Sequence, residues 1–301
     1  MRKQSSGAAL LLACAILLVS SQNSSTQSQV QQLPTEVAAI RFNSGQSVVP
    51  YFEGWIPKPD GSFDMVFGYF NRNFKEEFAI PVGTNNKVEP GPVDAGQPTY
   101  FLARRQRYAF RVRVPKDFGK QEVVWTITAN GRTEKGYGNL LPAQEITERV
   151  VMTNGNFDPG HDDPNKPPAI TIAAVAAASA GAPVTLTASV TDDGLPKPRV
   201  AAPQPAAPAT PAGPFGGQVN SSSGGQPRVL NVSWLPYRAP GKVTFSHTGT
   251  IPVANGQAAT TARFEVPGTY TLVATATDPG RLSTRTEVTV TVTGAKPTGQ
   301  P

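Results

Sequence analysis

The stretch RFEVPGTYTLVATATDPGRLSTRTEVTVTV, residues 263–292, decides the fold class of the second half of the chain. Apolar residues occupy every second position on both sides of the turn Asp278-Pro279-Gly280: first Tyr270, Leu272, Ala274 and Ala276, then Val288, Val290 and Val292. Alternation of period two on both sides of a turn predicts two antiparallel strands that bury one face. Such a hairpin is only marginally stable alone, so its apolar face predicts a second, covering sheet.

The composition of the whole chain also favours strands over helices. The 301 residues include 30 prolines and 28 glycines, with 16% charged and 39% hydrophobic residues. A chain this apolar is not typical of disorder, and its length allows two modest domains. Abundant threonine and valine favour many short strands. We therefore expect an all-β protein with two tandem antiparallel β-sandwiches after a signal peptide.

The first 21 residues have the three regions of a secretory signal peptide. Arg2 and Lys3 precede an apolar run over 8–19, and the small pair Ser20-Ser21 follows. The run is short for a membrane span, although a retained N-terminal anchor is the alternative. The sequence LLAC ending at Cys14 resembles a lipobox, but the apolar run continues past the cysteine, so lipoprotein anchoring is the less favoured reading. The expected location is secreted or periplasmic.

The expected mature chain is free of cysteine and only weakly basic. Cys14 is the single cysteine and lies within the signal peptide, so neither disulfides nor thiol catalysis are expected. Removing Arg2 and Lys3 lowers the net charge of +6 by two, which is too little to require a nucleic-acid partner. We expect a monomer without stable membrane insertion after signal cleavage, and 294–301 is expected to be a flexible tail.

The first domain is expected to span 33–152, after a flexible leader at 22–32. Alternating or aromatic runs predict strands at 62–70, 77–82, 107–114 and 123–128. Large side chains on both faces predict that the strand 62–70 runs through the middle of the domain. The two strands 107–114 and 123–128 are expected to pair antiparallel through the loop between them. The turn Asn130-Gly131 is expected to close the second of these strands.

The second domain is expected to span 169–293, after a linker at 153–168 that is rich in Asn, Asp, Gly and Pro. Its short strands follow one another in the order of an immunoglobulin-like sandwich. Trp234 stands where that fold has its core tryptophan. Tyr270 stands at the start of a strand, where that fold has a tyrosine whose hydroxyl bonds back to the backbone.

Three segments make this second half resemble a known family. The sequences VTLTASVTDDGLP, VSWLPYRAPGKVTF and ARFEVPGTYTLVATATDPG occur in the order found in the bacterial form of the PKD (polycystic kidney disease) class of immunoglobulin-like modules. The resemblance covers about 167–293. It implies a non-catalytic module for protein or carbohydrate contact, or for spacing, and transfers no ligand residues. A Pro/Ala/Gly-rich insertion at 196–227 departs from the family and is expected to be disordered or partly polyproline. The alternative for this insertion is a proline-rich arm that binds a partner.

No arrangement in the sequence indicates catalysis, so no enzyme activity, no catalytic residues and no cofactor are expected. The two histidines, His161 and His247, lack metal-ligand spacing, and neither a nucleophile elbow nor a phosphate-binding loop occurs. Three carboxylates at strand ends, Asp192, Asp193 and Asp278, are candidate calcium ligands. The alternative for these residues is that they form turns by bonding nearby backbone amides. Asp158, Asp162 and Asp163 in the linker allow the same two interpretations.

Five arginines form the one marked basic cluster of the chain: Arg104, Arg105, Arg107, Arg111 and Arg113. On one strand face they are candidates for an anionic glycan, a phosphate or an acidic partner. The alternative is a solvated outer face, on which arginine stems cover apolar surface.

Aromatic residues of the first domain are candidates for a sugar-stacking platform, although core packing is the favoured role for Phe63, Phe67, Tyr69, Phe70 and Trp125. Trp55 is the better stacking candidate.

From all these features together, the predicted function is a non-catalytic extracytoplasmic binding or spacer protein that mediates protein contact at the cell exterior. The alternatives are a carbohydrate-binding accessory protein, and a hydrolase with an unrecognised site in the first domain.

Overall fold

The structure is a computed structural model, and it describes residues 41–155, 163–175, 177–197 and 228–294. These described residues belong to one compact unit. The expected signal peptide and leader lie outside them, as do nearly all of the expected insertion and tail. No helix in the described part of the chain is long and apolar enough to cross a membrane.

Within 41–155, the part of the first half that the structure describes, there are eight strands: β1 (Val48–Pro57), β2 (Phe63–Asn71), β3 (Phe78–Ala79), β4 (Asn86–Glu89), β5 (Tyr100–Phe101), β6 (Arg104–Val114), β7 (Val123–Ala129) and β8 (Arg132–Gly138). They form two three-stranded sheets, β1-β2-β6 and β4-β7-β8, and the small pair β3-β5. All pairings are antiparallel. The prediction that the strand at 62–70 runs through the middle of the domain is confirmed, because β2 lies between β1 and β6 and has buried residues on both faces.

The predicted pairing of 107–114 with 123–128 is wrong. β6 bonds to β2, whereas β7 lies between β4 and β8 in the other sheet. The connection that begins at Pro115 therefore crosses from one sheet to the other. Val112 and Trp125 are buried in the same core from opposite sides, which explains why both strands show the same alternation. The turn predicted at Asn130-Gly131 is confirmed, since both residues have positive φ and close the hairpin of β7 and β8.

Aromatic rings fill the space between these two sheets. Trp125 and Phe67 are fully buried, and Phe110 lies 4.7 Å from Trp125 and 5.6 Å from Phe67, measured between ring centroids. The indole Nε1 of Trp125 donates to Oδ1 of buried Asn86 over 3.0 Å, which satisfies the one polar atom of the ring. The aromatic residues of β2 and β7 are thus mainly core residues.

The described residues of the second half form nine strands: β9 (Ala169–Ile172), β10 (Ala178–Ser179), β11 (Pro183–Thr191), β12 (Asn231–Arg238), β13 (Val243–Phe245), β14 (Thr250–Pro252), β15 (Gln257–Phe264), β16 (Gly268–Thr277) and β17 (Ser283–Thr293). The predicted hairpin is confirmed as β16 and β17, with Tyr270 opposite Val290 and Leu272 opposite Val288. β9, β10 and β14 are short strands that the alternation did not reveal.

The order of the strands defines an immunoglobulin-like sandwich. One sheet runs β13-β15-β11-β9 and the other β10-β17-β16-β12-β14. Apart from the added edge strands β10 and β14, this matches the D-E-B-A and G-F-C order of that fold. Trp234 lies on β12, the strand equivalent to C, and packs against both apolar clusters between the sheets. The hydroxyl of Tyr270, on the strand equivalent to F, donates to the carbonyl oxygen of Val266 over 2.7 Å. All-β architecture is thus confirmed for the described chain.

The segment that follows β8 packs on the outer face of the β1-β2-β6 sheet. It contains a 3-10 turn (Pro142–Gln144) and the short helix α1 (Glu148–Met152), whose N-cap Thr147 accepts from the backbone N–H of Val150. Ile146, Val150 and Val151 cover Ile56, Val66 and Tyr108 of that sheet. This cover hides one end of the outer face and leaves the other end open.

Candidate binding surface

The outer face of the β1-β2-β6 sheet carries the arginines of β6. Ion pairs and cation–π contacts divide the arginines into two groups. Arg111 and Arg113 lie near α1, and Arg104 and Arg105 lie at the open end. Arg107 lies between the groups and, with Tyr69, Tyr100 and Tyr237, lines a cavity of about 110 Å³ between the two halves.

Arg111 and Arg113 are neutralised by carboxylates of the same chain. The guanidinium of Arg111 donates to both carboxylate oxygens of Glu148, at 2.8 and 2.7 Å. Nε of Arg113 donates to Oδ1 of Asp64 over 2.5 Å, and Asp64 is almost fully buried. The hydrogen bond from Arg111 and a weaker contribution from Lys58 lower the pKa of Glu148 below its ordinary value. This end of the face therefore presents little free positive charge to an anionic ligand.

Arg105 pairs with Glu53 and covers a tyrosine. Its Nη2 lies 2.7 Å from Oε1 of Glu53, and its guanidinium lies 4.2 Å from the ring centroid of Tyr51. Burial raises the pKa of Glu53, while Arg105 and Arg107 act in the opposite direction. A Cβ on Gly68 would come within 2.5 Å of the carbonyl oxygen of Gln106, so only glycine lets β2 and β6 approach here.

Arg104 is held by aromatic rings and has no carboxylate within ion-pair distance in the described chain. Its guanidinium lies 3.9 Å from the ring centroid of Phe74 and 4.8 Å from that of Phe70. The guanidinium of Arg41 also contacts Phe74 and lies 5.3 Å from the centroid of its ring. Cation–π contacts of this kind hold a flexible arginine in one orientation while leaving its charge available.

Together these residues form a surface that we call the arginine–aromatic patch: Arg41, Tyr51, Phe70, Phe74, Arg104 and Arg105. Tyr51 is 43% exposed and Phe74 36% exposed, and neighbouring Phe42 is 51% exposed. Arg41, Tyr51 and Phe74 escaped the sequence analysis because they stand far from β6 in the chain. Their only sequence signal is that each is an aromatic or basic residue outside a regular alternation.

The sugar-stacking candidates from the sequence lie mostly inside the protein. Phe67, Tyr69 and Trp125 are buried core residues. Trp55 is 8% exposed and donates its indole N–H to the carbonyl oxygen of Leu141, so its ring is not available to stack on a sugar. The expectation for Trp55 is wrong because the segment after β8 folds over it.

The candidate calcium ligands all take part in turns at one end of the second sandwich. Oδ2 of Asp192 accepts from the backbone N–H of Gly194 at 3.0 Å, and Asp193 accepts from those of Leu195 and Lys166, both at 2.9 Å. Oδ1 of Asp278 accepts from the backbone N–H of Leu282 at 2.8 Å. No three His, Cys, Asp or Glu side chains gather as a metal site within the residues described.

The remaining candidates lie in the linker or at the surface. Asp163 pairs with Arg149 at 2.6 Å, whereas Asp158, Asp162 and His161 lie outside the described residues. His247 is exposed, and its Nδ1 lies 3.3 Å from the hydroxyl oxygen of Ser246.

Comparisons with known proteins do not assign a family. No family model matches the chain, and no curated protein matches it. Among solved structures, domains 4 and 5 of the S-layer protein SbsC are 9% identical at a TM-score of 0.22, covering 83% of this chain and 98% of theirs. The D00-D0 domain of intimin is 11% identical at a TM-score of 0.25, and the match covers 81% of this chain and 99% of the intimin domain. The Yersinia pseudotuberculosis adhesin InvE is 10% identical at a TM-score of 0.23, and the match covers 82% of this chain and 58% of the InvE chain. TM-scores this low identify neither a family nor a function.

Proposed function

We propose that this protein is a non-catalytic, extracytoplasmic binding protein that contacts another protein at the cell exterior through the arginine–aromatic patch. The observation that carries the proposal is the set of half-exposed rings of Tyr51 and Phe74 covered by arginines. Tyrosine and arginine are enriched at the energetic centres of protein interfaces, where a few such residues supply most of the binding energy. An acidic partner surface would complement the charges of Arg41 and Arg104.

The arginine side chains of the arginine–aromatic patch are ordered before binding, which lowers the entropic cost of binding a partner. A free arginine loses rotamer entropy when it binds, at about 0.5–1.5 kcal/mol for each immobilised side chain. Arg104 and Arg105 are already held by ring contacts, and Arg105 also by Glu53. The patch therefore combines exposed apolar area with fixed charge, a combination suited to recognition rather than turnover.

The second half is proposed to be a PKD-type module that spaces and orients the first. In this proposal 33–152 is the binding domain, 153–168 the linker and 169–293 the module. Several hydrogen bonds support a fixed orientation between the halves. Tyr237 donates to the carbonyl oxygen of Gly96, and the guanidinium of Arg285 donates to that of Tyr108 over 2.7 Å.

The experiment is affinity capture from the native cell envelope with the mature protein, followed by measurement of the affinity for the purified partner. Replacing Phe74 and Arg104 together by serine should weaken binding of that partner by at least about tenfold, as expected for two central interface residues. The matched control replaces Tyr137 and Arg132 by serine, because this pair is also exposed and lies on β8. Equal affinity of the two double variants would contradict the proposed surface.

The same patch favours an acidic glycan as a second candidate ligand, since aromatic faces stack on sugars and arginine binds carboxylate or sulfate. A glycan array distinguishes the two. Binding of acidic glycans that the Phe74 and Arg104 double variant loses would favour the carbohydrate-binding alternative. A hydrolase substrate panel addresses the third alternative, and turnover by the purified wild-type protein would contradict the non-catalytic proposal.

A further inference from the structure

The cavity of about 110 Å³ between the two halves is separate from the arginine–aromatic patch and has walls from both halves. The first half supplies Tyr69 from β2, together with Arg107 and Ala109 from β6. The second half supplies apolar residues of β12 and β16, among them Leu235 and Val273. Ligand sites occur preferentially at such contacts between domains, so this cavity is a candidate for a second binding site.

A bulge in β6 shapes one wall of the cavity. The three residues 107–109 stand opposite the single residue Gly68 of β2. Tyr108 has a φ of 49°, a left-handed conformation that is rare for a bulky side chain. Because of the bulge, Tyr108 packs on the outer face of the sheet, whereas Phe110, two residues further on, packs in the core. Bulges redirect side chains and are common beside functional sites, and residues of this one line the cavity.

Two arginines line this cavity without a carboxylate partner. Nη1 of Arg285 donates to a backbone carbonyl oxygen of the β6 bulge over 2.7 Å, and within the described residues no ion pair joins Arg285 or Arg107 to an acid. Arg285 is exposed over part of its surface, yet the atoms packed around it lower its pKa by burial; Tyr237 opposes this effect and the charge of Arg111 adds to it. Glu287 is the one carboxylate among the described residues that line the cavity, so its net charge is positive.

A buried hydroxyl adds a neutral donor to the same cavity. Tyr69 is 3% exposed, and its hydroxyl oxygen accepts from the backbone N–H of Leu102 over 2.9 Å. Burial raises the pKa of Tyr69, so the hydroxyl keeps its proton at neutral pH. That proton has no acceptor among the described residues, although buried polar groups are normally satisfied. An oxygen of a ligand in the cavity would provide the missing acceptor.

We propose that this cavity binds a carboxylate on a short apolar chain. The guanidinium groups of Arg107 and Arg285 supply charged donors that match a carboxylate, the Tyr69 hydroxyl supplies a third donor, and Leu235 and Val273 contact the chain. One water molecule needs about 10–15 Å³, so the cavity has room for a group of about five to seven non-hydrogen atoms. Butyrate matches this size and chemistry and serves as the probe.

The test is a titration of the isotope-labelled full mature protein with sodium butyrate at constant ionic strength, followed by proton–nitrogen NMR correlation spectra. We expect saturable shifts of backbone amides in β6 and β12 with a dissociation constant of about 1 mM, which a ligand of so few atoms can reach. Butan-1-ol has the same chain without the charge and should bind at least about tenfold more weakly. Arg107→Gln and Arg285→Gln should each weaken butyrate binding at least about fivefold, because each removes a charged donor. Ala109→Leu should abolish binding by filling the cavity.

Arg132→Gln is the matched control, because it makes the same change at an exposed arginine that does not line the cavity. The dispersion of the amide spectrum without butyrate shows whether each variant folds. Absence of saturable binding by the wild-type protein up to about 20 mM butyrate, far above the expected constant, would overturn the proposal. Equal affinity of the wild type for butyrate and butan-1-ol would overturn it as well, whatever the variants do.

A carboxylate of this size can be a free molecule or the end of an acidic side chain, and a capped tripeptide with a central glutamate presents the second kind. Binding of butyrate alone assigns the site to a free carboxylate, and comparable binding of both assigns it to an acidic side chain of a partner. The double variant of Phe74 and Arg104 should bind butyrate as the wild type does, since neither residue lines the cavity. The result is therefore independent of the arginine–aromatic patch.

Discussion

Arg238 on β12 forms a bidentate ion pair with Asp94, which lies between β4 and β5 in the other half of the protein. Nη1 lies 2.9 Å from Oδ2, and Nη2 lies 2.6 Å from Oδ1. Paired hydrogen bonds of this geometry fix direction as well as distance. On the same edge, the backbone N–H of Ala239 donates to the hydroxyl oxygen of Thr99 over 3.1 Å. The pair therefore helps to set how the two halves are oriented.

Asp94→Asn should lower the free energy of unfolding by about 0.5–1 kcal/mol. The effect is small because Asp94 is 55% exposed, and solvent screens exposed pairs. Urea unfolding at pH 7 measures it. Glu89→Gln is the control, since it breaks the more exposed pair of Lys87 and Glu89 within the first half. A larger loss for Glu89→Gln than for Asp94→Asn would contradict the assigned role of Arg238.

Glu148 should give the protein a pH-dependent contribution to stability. Arg111 and Lys58 lower its pKa in the folded state below the ordinary value of 4.5. The contribution is therefore fully present above the unfolded pKa and is lost as pH falls through the lower folded value. Glu148→Gln should lose less stability than the wild type between about pH 5 and pH 3.

Urea midpoints measured at half-unit pH steps test this expectation. The matched control is Glu122→Gln, at an exposed position of the first half. A wild-type curve that runs parallel to that of Glu148→Gln over this window would show that the pair with Arg111 is not formed in solution.

Tyr270→Phe should lower the free energy of unfolding by about 1–2 kcal/mol. The change removes a hydroxyl that donates to the carbonyl oxygen of Val266, and it leaves a partly buried acceptor unsatisfied. The ring itself is fully buried and is unchanged by the substitution. Tyr137→Phe, at a residue that is 51% exposed, should change stability by less than about 0.5 kcal/mol. Equal effects of the two substitutions would contradict the tyrosine-corner assignment.

Phe67→Ala should destabilise the first half by about 3–5 kcal/mol. The ring is fully buried among Phe52, Phe110 and Trp125, and its removal leaves a cavity that these large rings cannot readily fill. Thermal unfolding measures the loss. Phe74→Ala, at a half-exposed ring of the arginine–aromatic patch, should cost far less. That result would also show that variants of the patch report on binding rather than on folding.

Much of the fold could be predicted from the sequence because burial leaves a periodic trace. The hairpin of β16 and β17 has the predicted residues facing the core, and Tyr270, Leu272, Ala274 and Ala276 are all fully buried. The strand pairing in the first half could not be predicted in the same way. Two strands that face one core from opposite sheets alternate just as two strands of a hairpin do.

The candidate sites, like the fold, could be predicted from the sequence only in part. The sequence located Asp192 and Asp278 at strand ends, but Asn165 stands among linker residues and only the fold places its amide against Asp278. The arginines of β6 looked free of acidic neighbours because no acid stands near them in the chain. Asp64 and Glu148 reach Arg111 and Arg113 from other segments.

The sequence by itself determined the all-β class, the strands with strong alternation and the residues that fill the core, since the pattern of apolar side chains along a strand specifies which face is buried. Only the tertiary structure decided which strands β6 and β7 pair with, which arginines are neutralised and which rings stay at the surface. Those outcomes depend on contacts between residues far apart in the chain, because ion pairs and ring packing act over a few ångströms in space whatever the separation in sequence.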